Sequence, residues 1–244
     1  PTHLSPPRRG GRCHHRGRLA AGGLRWTSSQ HNRHVCAPVG RSTYIGRRWA
    51  NREYVILLFG SYLVIGMIAL EMPSPYASDA HDYLAKGLAM RDALRDEPLL
   101  SFTMAPHAPY TVSDAPLLKI RQYANELGIG IHMHIHETAD EVAQGIARNG
   151  KRPWQHLRDL EFLGPDLIAV HMTQLTDEEI AQVAEFGVHV AHCPESNLKL
   201  ASGFAPVGRL IGAGANVAIG TDGAASNNDL DLLGEMRSAA LLAK

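Results

Sequence analysis

The stretch IGIHMHIHETADE, residues 129–141, holds a strand and a helix start side by side. Apolar Ile131, Met133 and Ile135 alternate with His132, His134 and His136, so in a regular strand the three histidines share one face. Thr138 and Glu141 then form a capping box, the signature of a helix N-terminus. A strand running straight into a capped helix is one βα unit, with histidines at the join.

The same unit recurs outward in both directions. Val64–Glu71, Leu99–Met104, Ile129–Ile135, Leu167–Val170, Val188–Ala191 and Asn216–Ile219 read as strands. Helical spacing or caps mark His81–Arg95, a helix capped at Ser113 or Asp114 and closed by Gly128, and one from Thr138 to Asn149-Gly150. They also mark Trp154–Leu163, a second capping box at Thr176 and Glu179 with its stop at Gly187, Val207–Ala213 and Asp229–Leu242. Strict alternation predicts an α/β fold with a parallel sheet and right-handed crossovers. No G-x-G-x-x-G follows the first strand and no G-x-x-x-x-G-K-[ST] occurs, so nothing supports dinucleotide or P-loop phosphate binding. The choice lies between an open doubly wound sheet and part of a TIM-type (β/α)8 barrel.

The strand ends favour the barrel. His107 follows the second strand, His132, His134 and His136 ride the third with Glu137 next, His171 and His192 end the fourth and fifth, and Asp222 follows the last through Gly220-Thr221. Parallel barrel strands deliver their C-termini to one face, where active sites are built. One histidine at a strand end is more often a hydrogen-bonded structural residue than a ligand. The repetition makes that a poor account of the set, though not of each member. His81, His156 and His189 fall on helices or inside a strand and read as structural. Asp222 could cap a turn, or could supply a hard oxygen beside imidazoles around Zn²⁺ or Fe²⁺.

The segments APHAPYTVS (105–113), HIHETADE (134–141), AVHMTQL (169–175), HCPESNLKLASGFAPV (192–207) and GTDGAASNNDLDLLGEMRSAALLAK (220–244) carry a resemblance. From about Gly66 onward the chain resembles the metal-dependent amidohydrolase superfamily, most of all its 5'-methylthioadenosine/S-adenosylhomocysteine deaminases and related triazine hydrolases. The resemblance implies an incomplete barrel of about six of the eight βα units. It implies one divalent metal, Zn²⁺ or else Fe²⁺, held by His134 and Asp222. Glu137 is implied to contact a purine ring and shuttle a proton, His171 to face the attacking water, Asp222 to act as general base and His107 to touch substrate. His192, Ser196 and Asn197 fall in a motif read as mainly structural. The implied reaction is hydrolytic deamination of an adenosine-type substrate to the inosine analogue and ammonia. A triazine- or guanine-type amidohydrolase and a non-catalytic remnant are the alternatives.

The family pattern also has an H-x-H pair on its first barrel strand. Upstream of Tyr54 the histidines are His3, the adjacent His14-His15, and His31 and His34, which are three apart, so none forms an H-x-H pair. The region where that strand is expected is compositionally foreign. Residues 1–52 contain eleven Arg and no Lys, Asp or Glu, so the formal net charge of zero is +11 there and −11 in residues 53–244. Residues 1–52 read as a disordered leader or non-native sequence rather than a nucleic-acid-binding arm, because few aromatics offer stacking platforms. Residues 53–244 read as the incomplete barrel domain.

Tyr54–Leu70 is uncharged for seventeen residues, at the short edge of a spanning helix. Its β-branched content, Gly60, Gly66 and the following Pro73 and Pro75 favour buried strand instead. Three cysteines exclude a disulfide scaffold, and a cytoplasmic setting is expected. A small purine nucleoside is the expected partner, with neither nucleic acid nor membrane favoured and homo-oligomerisation left open.

Overall fold

The computed structural model describes residues 56–59 and 62–243, so expectations for residues 1–52 lie outside the described residues. Among the described residues, seven strands form one sheet: β1 (Ile56–Phe59), β2 (Tyr62–Ala69), β3 (Leu100–Pro106), β4 (Ile131–Ile135), β5 (Leu167–His171), β6 (His189–His192) and β7 (Asn216–Ile219). Between and after them run α1 (Ala80–Leu94), α2 (Asp114–Leu127), α3 (Ala139–Asn149), α4 (Pro153–Asp159), α5 (Asp177–Glu185), α6 (Pro194–Lys199), α7 (Val207–Gly212) and α8 (Leu232–Leu242).

The spatial order β1 to β7 follows the chain without a reversal. A doubly wound sheet reverses its order at a switch point, and this one does not. β2 to β7 are all parallel, which makes them a six-strand arc of a (β/α)8-type barrel, as the strand ends predicted. β1 adds an antiparallel strand that alternation did not foresee, with Ile56 opposite Ile65 and Phe59 opposite Tyr62. The apolar run 54–70 therefore supplies strands. Among the described residues, no helix is long and apolar enough to cross a membrane.

Period two divides β4 between layers. Ile131, Met133 and Ile135 are fully buried, while His132 and His134 take the opposite face. Met67, Met104, Leu167 and Val190 extend the buried layer across the sheet, where Leu117, Ile120, Trp154, Leu157, Ile180, Val183 and Leu210 from the helices join the same core. Each such side chain contributes about 1.5–3 kcal/mol on burial.

Boundaries moved where local bonds outcompeted the pattern. β2 ends at Ala69 because the Glu71 amide leaves the ladder for the Thr111 carbonyl at 3.0 Å. The helix expected over Trp154–Leu163 stops at Asp159, and Glu161 lies at φ 55°. The last helix begins at Leu232, not Asp229, because Asn227 Oδ1 accepts from the amides of Asp229 (3.1 Å) and Leu230 (3.0 Å). Ser113 occupies the α2 cap position, but its hydroxyl donates to Glu71 and accepts from no helix amide. The box at Thr176 and Glu179 is complete.

Candidate active site at the strand C-termini

The polar residues at the ends of β3, β4, β5 and beyond β7 meet in one place. His107 is held between two strands, its amide donating to Ala69 and its carbonyl accepting from His134, both at 3.0 Å. Its Nδ1 lies 3.0 Å from Thr111 Oγ1. The His107 and His134 rings are 5.1 Å apart and nearly perpendicular, and the His134 ring is also 5.1 Å from that of His171. His134 Nε2 stands 3.9 Å from Asp222 Oδ1, and His171 Nε2 stands 3.9 Å from Asp222 Oδ2. Glu137 closes the group, with Oε2 3.7 Å from His171 Nε2.

Backbone conformation aims these side chains. His171, Met172 and Asp222 have φ of 73°, 52° and 60°, a left-handed region costly for L-residues. Such conformations persist where the surroundings hold them and gather at functional sites. His136, at φ 53°, shows what the alternation rule missed. The strand has ended before it, so its ring leaves the face shared by His132 and His134. It is fully buried, and its Nε2 accepts from the Trp154 amide at 3.1 Å.

The side chains of the site have partners of their own. Asn197 Oδ1 lies 2.8 Å from His171 Nδ1. An amide oxygen only accepts, so Nδ1 carries the proton and the Nε2 lone pair faces the site. Asp222 Oδ2 accepts from Ser196 Oγ at 2.7 Å and Ser226 Oγ at 2.5 Å. Ser196 and Asn197, read from sequence as mainly structural, thus bond directly to site side chains. The sequence signal for Ser226 is its place four residues after the motif aspartate. His192 stays outside the group, buried in the sheet with Nδ1 unpartnered.

Electrostatics prepare the set for a cation. Burial drives His134 well below the usual imidazole value, and His171, His107 and His132 add to this against Asp222. Burial likewise brings His132 down to about 4. At Asp222 burial works upward, but the hydroxyls of Ser226 and Ser196, then His171 and His134, outweigh it and hold the carboxyl below its usual value. Neutral imidazole and ionised carboxylate are the forms that bind metal. The ligand atoms of His134, His171 and Asp222 all lie within 4.8 Å of one another, and the three could hold one ion. Two nitrogens and an oxygen suit Zn²⁺, with an incomplete shell leaving room for further ligands.

Sequential parallel strands with a metal-competent site at their C-termini define a class of barrel with a candidate metal centre. The amidohydrolase family model matches residues 43–244. The chain belongs to the amidohydrolase family. It is 50% identical over 175 residues to a 5-methylthioadenosine/S-adenosylhomocysteine deaminase of Teredinibacter turnerae, covering 72% of this chain and 40% of that one. It is 49% identical over 148 residues to a 5'-deoxyadenosine deaminase of Methanopyrus kandleri, covering 61% of this chain and 34% of the relative. Among solved structures, a zinc-bound adenosine deaminase from Xanthomonas campestris is 52% identical with a TM-score of 0.72, over 74% of this chain and 41% of that one. Atrazine chlorohydrolase from Arthrobacter aurescens, complexed with zinc, is 26% identical with a TM-score of 0.63, over 67% and 37% of the two chains. The chain therefore spans about 40% of the length of the first of these relatives.

Proposed function

We propose that the site serves hydrolytic deamination of an adenosine-type nucleoside, such as 5'-methylthioadenosine or S-adenosylhomocysteine, and that residues 53–244 form its barrel domain. The observation that carries the reading is the meeting of His134, His171 and Asp222 beside Glu137. The deaminase names of relatives near 50% identity support it.

His134 and Asp222 would hold one Zn²⁺, with His171 within reach of the same position. When bound, the ion would supply Lewis acidity that brings water deprotonation near neutral pH. Asp222, kept ionised, takes a proton from the attacking water. His171, with its Nε2 lone pair toward the site, accepts a hydrogen bond from that water. Glu137 gives a proton to the ring nitrogen next to C6, so negative charge does not accumulate there. A C6–O bond forms, the exocyclic C6–N bond breaks, nitrogen leaves as ammonia after taking up the water's second proton, and the proton held by Asp222 returns to Glu137, which restores both groups. His107 lines the substrate side. General acid–base help of this kind is worth about 10²–10⁴-fold.

The test is ammonia release and loss of adenine absorbance from methylthioadenosine with the zinc-loaded chain. Release from methylthioadenosine is expected. Release only from guanine, or dechlorination only of a triazine, would replace this reading with its neighbour, which the likeness to the chlorohydrolase favours. No turnover of any of these would remove it.

A further inference from the structure

Glu137 is held at three separate points, more than a helix start requires. Glu141, 5% exposed, reaches back from α3 so that Oε1 accepts from the His136 amide at 3.0 Å and Oε2 from the Glu137 amide at 2.7 Å. A capping box sends that glutamate to the amide of the cap residue, Thr138. Here Thr138 still receives the Glu141 amide at 3.1 Å, but the carboxylate is spent on the two residues before it. The second point is the Glu137 carbonyl, which accepts from Thr173 Oγ1 at 2.6 Å.

The third is the carboxylate. Ser202, 4% exposed, donates from Oγ to Glu137 Oε1 at 3.2 Å. Its loop is docked for this. The Ser202 carbonyl accepts from Gln174 Nε2 at 2.9 Å. Gly203 follows at φ 125°, where a Cβ would come within 2.6 Å of Gln174 Nε2, so only glycine permits the approach. With Oε1 engaged by the serine hydroxyl, Oε2 is the oxygen that looks toward His171.

We propose that Glu141 and Ser202 are positioning residues for Glu137: Glu141 fixes its main chain, Ser202 engages Oε1, and Oε2 is thereby the oxygen that carries the proton to the substrate. The inference rests on the deaminase reading for its catalytic consequence. The proton moves from Oε2 to the ring nitrogen and leaves the carboxylate accepting from Ser202. Neither positioning residue exchanges a proton with the substrate.

The full zinc-loaded chain and three variants decide it. Ser202→Ala should lower kcat about tenfold with KM within about twofold, since small misplacements of a catalytic group cost rate and not binding. Ser202→Thr, which keeps the hydroxyl, should recover most of the loss. A signature independent of turnover comes from NMR. Ser202→Ala should move the Glu137 carboxyl ¹³C resonance and spare its amide, whereas Glu141→Gln should move the His136 and Glu137 amide resonances. An unchanged kcat in Ser202→Ala, no recovery in Ser202→Thr, or an unmoved Glu137 carboxyl resonance would each overturn the proposal. A wild-type chain that releases no ammonia would defeat the deaminase reading, while the resonances would still show whether Ser202 and Glu141 set that carboxylate.

Discussion

Asn197 Oδ1 and His171 Nδ1 stand 2.8 Å apart, and this one contact decides which ring nitrogen of His171 serves the site. The proton sits on Nδ1, so Nε2 is a lone pair directed at Asp222 and Glu137. Asn197→Ala should free the ring and its tautomer. Ammonia release from methylthioadenosine is expected to slow about 100-fold, the order of loss when a catalytic group is misplaced, with Zn²⁺ retained. An unchanged rate would show that the contact orients nothing.

The two serines on Asp222 make a separate prediction. Ser196 and Ser226 both donate to Oδ2 and help hold the carboxyl below its usual value. The Ser196→Ala, Ser226→Ala double variant should raise that value. Metal uptake, which needs the carboxylate, would then begin at higher pH. A pH titration of Zn²⁺ binding reads the shift directly, and an unshifted curve would contradict the assignment.

Acid should destabilise the fold. Burial brings His132, His136 and His192 each down to about 4 from 6.5. They are neutral in the folded chain but take protons when unfolded, so stability present above about pH 6.5 is lost as pH falls toward 4. Burial pushes Glu141 and Glu235 up to about 7 from 4.5, which acts in the opposite sense. Their contribution is present below pH 4.5 and lost as pH rises through about 7. His134, also well below its usual value, acts with these three, and four groups against two leave a net loss on acidification between about pH 6.5 and 4.5. Glu235→Gln removes one opposing group, so melting temperature against pH should become steeper in that variant.

In the core, Leu167 is fully buried at the start of β5, opposite Ile131 of β4. Leu167→Ala should cost about 2–5 kcal/mol, measured by urea unfolding, through lost burial and the cavity left behind. A cost under about 1 kcal/mol would mean that the β4–β5 seam does not hold the sheet together.

Much of this was legible in the sequence because periodicity and caps are local. The alternation in β4, the box at Thr176 and Glu179 and the αL glycine closing α2 all needed only near neighbours. The parallel order followed from alternation of elements; the strand ends offered a wider set of histidines and acids, and the choice of His107, His134, Glu137, His171 and Asp222 within it rested on the family resemblance. Other features depended on distant partners. His136 leaves the histidine face because its ring finds the Trp154 amide, eighteen residues away. α6 was missed because it is six residues long and begins at a proline inside a motif-rich loop. The roles of Ser196 and Ser202 come from contacts across 26 and 65 residues, which no local pattern encodes.

Metal stoichiometry tests the central claim most directly. The chain, refolded or purified with excess Zn²⁺ and desalted, should retain one ion, measured by atomic emission. His134→Ala and Asp222→Ala should each lose it while keeping the helical circular-dichroism signal. A wild-type chain that retains no zinc, or an Asp222→Ala variant that retains it as tightly as wild type, would contradict the account.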